Sequence, residues 1–177
     1  WDDGPPSLTM KTLVRAVEEE TVAVSVIARD PTLRSVTCGD VRVESPGGTL
    51  RTQFVVSLRD EVTNTILGGA RDAAGRATTN TRKIVRDSTP PRISEIEPSR
   101  PVAVPRVLLR ARVEDGLLDT VEVSPSAGSG GRQNGIYSAP VDLSVGTNLF
   151  RVTARDRAGH VATRLASVLR VQSEEPV

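Results

Sequence analysis

Four aspartates, Asp72, Asp87, Asp115 and Asp156, have the most chemistry within reach, because they recur beside turns and at the junction between two halves of the chain. Carboxylates converging from such places can hold Ca²⁺, which takes roughly six to eight oxygen ligands. A calcium ion at the interdomain joint is one reading. The other is that Asp72 and Asp156 accept hydrogen bonds from the backbone of their own turns. A melting midpoint unchanged by chelator would dispose of the metal. The single thiol, Cys38, and the single imidazole, His160, fall in different halves. They make no thiolate–imidazole pair, and one of each excludes the common zinc sets. Cys38 stands where the other half has Val123, a buried core position. His160 stands where the other half has Arg76, a solvated turn position.

The Gly-rich stretch 128–135 lacks the Gly-Lys-Ser/Thr ending of a phosphate loop and has no helix behind it. Glu18, Glu19 and Glu20 read as a solvated loop, and paired carboxylates for glycoside hydrolysis would need a cleft. No catalytic residue, resident metal or cofactor is assigned, so the chain reads as a non-enzyme.

The elements that carry these residues are strands. Runs at 7–12, 21–29, 33–38, 41–44, 50–58, 63–71 and 77–86 alternate apolar and polar residues between turn residues. Seven short runs at that spacing predict an all-β chain of immunoglobulin-like antiparallel sandwiches. The pattern then repeats. Arg71-Asp72-Ala73-Ala74-Gly75-Arg76 returns 84 residues later as Arg155-Asp156-Arg157-Ala158-Gly159-His160. In each copy Asp at the start and Gly at the fourth turn position (Asp72 and Gly75, Asp156 and Gly159) close a hairpin. Val22, Val24, Val26 and Ala28 match Val107, Leu109, Ala111 and Val113 at an offset of 85. The organisation expected is a linker at 1–6, a domain at 7–87, a linker at 88–91, a domain at 92–171, and at 172–177 a tail or the start of a next linker. Asp87, Pro90 and Pro91 mark the joint, where a double proline gives a stiff extended connection.

Two departures between the copies stand out. Gly68 occupies the inward position held by Val152 in the second copy. An unfilled gap there costs about 1–3 kcal/mol, so Phe54 or a neighbouring Leu is expected to lean into it. The second departure is the stretch 126–135, a hairpin loop without an equally long counterpart and expected to be mobile. Gly130, Arg132, Asn134 and Tyr137 make it the candidate binding loop.

The chain has 177 residues, a net charge of +1 and four aromatics, Trp1, Phe54, Tyr137 and Phe150. Two small aliphatic cores fit that composition. Balanced charge gives no nucleic-acid footprint, and no run is long and apolar enough to span a membrane. A first residue of Trp1 with no signal pattern suggests a piece of a longer protein.

At Thr153-Ala154-Arg155-Asp156, at the two Asp-x-Ala-Gly turns, at Val145-Gly146-Thr147-Asn148 and at Asp87-Ser88-Thr89-Pro90-Pro91, the chain resembles bacterial Ig-like (Big-type) tandem repeats. Arg76 and His160 stand where that family's turn closes with Asn. The resemblance implies a structural or adhesive stalk or spacer of a bacterial surface or secreted protein, lying outside the cell or in the periplasm. Its partners would be neighbouring Ig-like repeats or other protein domains. The alternative is an accessory carbohydrate- or protein-binding module attached to a secreted enzyme; only Trp1 and Tyr137 could serve such a module as sugar platforms.

Overall fold

The computed structural model describes residues 4–172, so Trp1 and the end of the tail lie outside the described residues. The chain forms two units, divided between Ser88 and Thr89. Among the described residues no helix is long and apolar enough to cross a membrane.

In the first unit the strands run in order β1 (Ser7–Lys11), β2 (Ala16–Val17), β3 (Thr21–Asp30), β4 (Leu33–Cys38), β5 (Val41–Glu44), β6 (Gly48–Ser57), β7 (Val62–Asp72) and β8 (Ala77–Arg86). They form two sheets, β1-β3-β6 and β2-β8-β7-β4-β5, in which only the β2–β8 pair is parallel. Strict alternation puts Val22, Val24, Val26 and Ala28 inside from β3, and Ile66 and Ala70 inside from β7. Cys38 is fully buried in this aliphatic core, where burial pushes its thiol pKa up. It is a small apolar filler there.

The second unit holds β9 (Arg92–Glu97), β10 (Arg106–Glu114), β11 (Leu118–Ser124), β12 (Gly131–Gln133), β13 (Ile136–Asp142), β14 (Gly146–Asp156) and β15 (Val161–Arg170). Its sheets are β12-β13-β10-β9 and β11-β14-β15. Leu109, Ala111 and Val113 face a core with Val141, Phe150, Val152 and Val168. The chain is thus all-β, two antiparallel sandwiches, as alternation and turn spacing predict.

Three details depart from the sequence reading. First, the gap beside Gly68 is filled by Met10 of β1, not by Phe54 or a Leu. A Cβ added at Gly68 would lie 2.9 Å from Met10 Cε and closer still to Sδ. Met10 is completely buried, and its unbranched thioether suits an irregular space. Second, each unit carries a short parallel pairing that alternation does not reveal: β2 along β8, and a bridge between Val102 and Arg170.

Third, the two copies do not share one layout. The strand that follows the third long run joins opposite sheets. In the first unit a two-residue turn, Gly39-Asp40 with Gly39 at φ 56°, folds β5 straight back along β4. In the second unit Pro125 follows β11 directly. With no N–H and a fixed φ, it bars that return ladder. The chain crosses instead to β13, where Ala127 N–H donates to Pro140 C=O (2.8 Å) and β12 pairs antiparallel with β13.

Candidate functional site

The two Asp-x-Ala-Gly turns have the same construction. Asp72 N–H donates to Arg76 C=O (3.1 Å), and Asp156 N–H to His160 C=O (3.2 Å). Asp72 Oδ1 accepts from Arg76 N–H (2.8 Å), while Oδ2 takes the Arg76 guanidinium at 2.6 Å. Asp156 Oδ1 accepts from Gly159 N–H (2.6 Å) and His160 N–H (2.9 Å), and Oδ2 meets His160 Nδ1 at 2.7 Å. Gly75 (φ 85°) and Gly159 (φ 109°) supply the left-handed residue that lets the chain double back onto the carboxylate. Both carboxylates are buried. His160 is not a solvated turn residue: its side chain is 11% exposed and lies against Asp156. Arg76 and His160 are different side chains doing one job. Asp115 serves another turn, accepting from Leu117 N–H (2.6 Å), as Asp30 does from Thr32 N–H (2.7 Å) in the first unit.

Burial pushes the Asp72 carboxyl up, but the hydrogen bonds from Arg76 and Ala74 and the Arg76 charge outweigh it, so the net pKa lies below the ordinary carboxylate value. A depressed folded pKa means stability that is present above the unfolded value, about 4, and lost as pH falls through the folded one. Arg76→Ala should therefore lower the first unit's calorimetric midpoint at neutral pH, and the difference from wild type should close in acid. A difference that persists unchanged in acid would show that the guanidinium acts through packing alone.

Two asparagines, Asn148 of the Gly146-Thr147-Asn148 segment and Asn64, which the sequence reading did not single out, hold the loop before β14 and β7. Asn64 Oδ1 accepts from Arg59 N–H (2.8 Å), and its Nδ2 donates to the carbonyls of Arg59 and Val62. Asn148 does the same with Ser144 and Gly146. Their offset of 84 is the signal that would have found Asn64.

At the joint, Asp87 is buried and donates its N–H to Val17 C=O (3.0 Å). Ser88 is tied back to the loop after β6: its hydroxyl donates to Asp60 (2.7 Å) and its N–H to Glu61 (3.1 Å). The Ser88 hydroxyl, more than the nearby Arg86 charge, holds the Asp60 carboxyl below its ordinary value. Pro90 is exposed and Pro91 buried.

The Gly-rich stretch is more ordered at its end than a mobile loop. Residues 131–133 form β12, and Asn134 (φ 50°) and Gly135 (φ 77°) make the two-residue hairpin turn into β13. Tyr137 packs against the core from the inner face, and its ring covers Gly130, where a Cβ would lie 2.9 Å from Cε1 and closer to the hydroxyl. Burial first, and then Glu122, raises the Tyr137 pKa. Its ring is thus only partly open to solvent. Phe54 and Phe150 are buried as well.

The open surface lies on the opposite face of that sheet. A groove of about 470 Å³ is lined by Arg110, Arg132, Gln133, Asn134 and Ser138, with Gly131 at its edge. Register puts Gly131, Ser138 and Arg110 in one row, so two small residues form a floor beside a guanidinium. Among the described residues, neither Arg110 nor Arg132 makes an ion pair, whereas neighbouring Arg112 is held by Glu95 (3.0 Å) and Arg106 by Asp142 (2.6 Å). The groove brings Asn134 together with Arg110, which the sequence reading did not single out, while Arg132 pairs with Tyr137 and shares its face of the sheet.

No family profile matches the sequence, and no match is found among curated proteins. Solved structures do match. The chain superposes on fibronectin(III)-like modules of Clostridium thermocellum CbhA with a TM-score of 0.55 at 13% identity, covering 94% of this chain and 95% of that one. A three-Ig segment of titin gives the same TM-score at 17% identity, covering 94% of this chain and 65% of that one. The fold is that of fibronectin(III)-like and Ig-like modules.

Proposed function

We propose that the chain is a structural or adhesion segment, a stalk or spacer of Big-type repeats in a bacterial surface or secreted protein, working outside the cell or in the periplasm. The observation that carries this reading is that each repeat closes a core of its own, with Asp72 and Asp156 held inside their own turns. Such a unit transmits force through its ladders, and Pro90 and Pro91 stiffen the joint. No calcium ligand set is assigned at that joint. Neighbouring repeats or other protein domains are the partners. Pulling single molecules tests it: two separate unfolding events should appear, each lengthening the chain by roughly 30 nm. One merged event, or unfolding at forces too small to register, would sink the load-bearing reading.

The groove beside Arg110 favours a second reading, an accessory module that binds a protein or carbohydrate. The Arg110 guanidinium, without a carboxylate partner among the described residues, suits an acidic group. A panel of acidic and neutral glycans, screened with wild type and with Arg110→Ala, separates the two readings.

A further inference from the structure

We propose that β6 is an association edge, and that its partner is β6 of a second copy of this chain, added antiparallel across a two-fold axis at Gln53.

The backbone of β6 says which groups are free. Its ladder with β3 runs unbroken through ten pairs, and Leu58 N–H, one residue beyond, donates to Glu20 C=O. In an antiparallel ladder the hydrogen-bonded residues alternate. The even-numbered residues of β6 therefore bond to β3, while Thr49, Arg51, Gln53, Val55 and Ser57 turn their N–H and C=O groups outward. Among the described residues no strand pairs with that side of β6.

The other edges are blunted by the usual devices. β1 is covered by β8 side chains: Asn80 donates to Leu8 C=O, and Arg82 donates to Met10 C=O. β9 is crossed by Arg164, which reaches Ile93 C=O (3.1 Å), and its pairing with β10 is bulged. β5 and β12 are four and three residues long. β11 carries a register shift, two acids and a following proline. β15 is closed at its end by Val102. β6 has ten residues, one charge (Arg51), no proline and no bulge.

The second unit shows what this edge accepts. At the offset of 85, Arg51–Gln53 corresponds to Ile136–Ser138 of β13, and there β12 of the same chain pairs antiparallel, Gly131 with Ser138 and Gln133 with Ile136. In the first unit the matching segment is already used by β4, as β5. Another copy of β6 can take the place of β12. A two-fold at Gln53 sets Gln53 beside its own copy, Arg51 opposite Val55, and Thr49 opposite Ser57. Every outward backbone group of the five residues is then paired. No like charges meet, and Val55, 68% exposed in the single chain, lies against the Arg51 stem.

Sedimentation equilibrium of the full chain at up to about 0.2 mM tests this. A reversible dimer is expected. Val55→Lys sets a lysine against the partner's Arg51 at both symmetric positions and should weaken association about tenfold, whereas Val55→Glu should tighten it several-fold. Gln53→Pro removes an outward N–H at the centre without touching the β3 ladder, and should abolish the dimer while circular dichroism stays unchanged. A wild type that remains monomeric, or a dimer indifferent to the sign of the charge at 55, overturns the proposal.

Discussion

Met10→Ala should destabilise the first unit by about 2–5 kcal/mol, the range for emptying a fully buried thioether site whose walls cannot collapse. Met10 is fully buried, and the backbone of Gly68 forms the wall it fills. Gly68→Val alone should also destabilise, by about 1–3 kcal/mol, because the new side chain runs into Met10. The pair is the sharper experiment. With both substitutions, the valine enters the space the methionine leaves, recreating at this position the side chain that Val152 provides in the second unit. The double variant should lose clearly less than the sum of the two single losses, the coupling expected of residues in contact. Strict additivity in calorimetry would mean that Met10 and Gly68 do not share one space.

Asp156→Ala should cost the second unit about 2–3 kcal/mol. It strips the buried acceptor from the half-buried N–H groups of Gly159 and His160, and the loss of a partner is felt more than the bond itself contributes. Asp156→Asn keeps an Oδ1 acceptor for both donors and offers an amide to His160 Nδ1, so it should lose only about 1 kcal/mol. If the alanine variant melts with wild type, the carboxylate does not hold the turn.

Much of this fold is legible in the sequence because its causes are local. Alternation in residues 21–29 places Val22 to Ala28 on one face whatever the neighbours are, and an Asp-x-Ala-Gly turn closes through atoms four residues apart. The vacancy at Gly68 is legible too, by comparison with Val152. Its occupant is not, since Met10 lies 58 residues away in the facing sheet. The same holds for Tyr137, whose type suggests a platform while its parity in β13 turns the ring inward, and for His160, whose place in a turn suggests solvent until Asp156 is seen beside it.

By itself the sequence determined the long strands, the all-β sandwich class and the residues of the closing turns, since periodicity and turn chemistry act within a few residues. Only the tertiary structure decided which sheet β5 and β12 join, and therefore which edge of each sandwich is left open. That choice depends on pairing partners far apart in the chain: β4 folds back through Gly39-Asp40, while Pro125 sends β12 across to β13. It is why β13 is covered, β6 is bare, and Arg110 comes to stand in one row with Ser138 and Gly131.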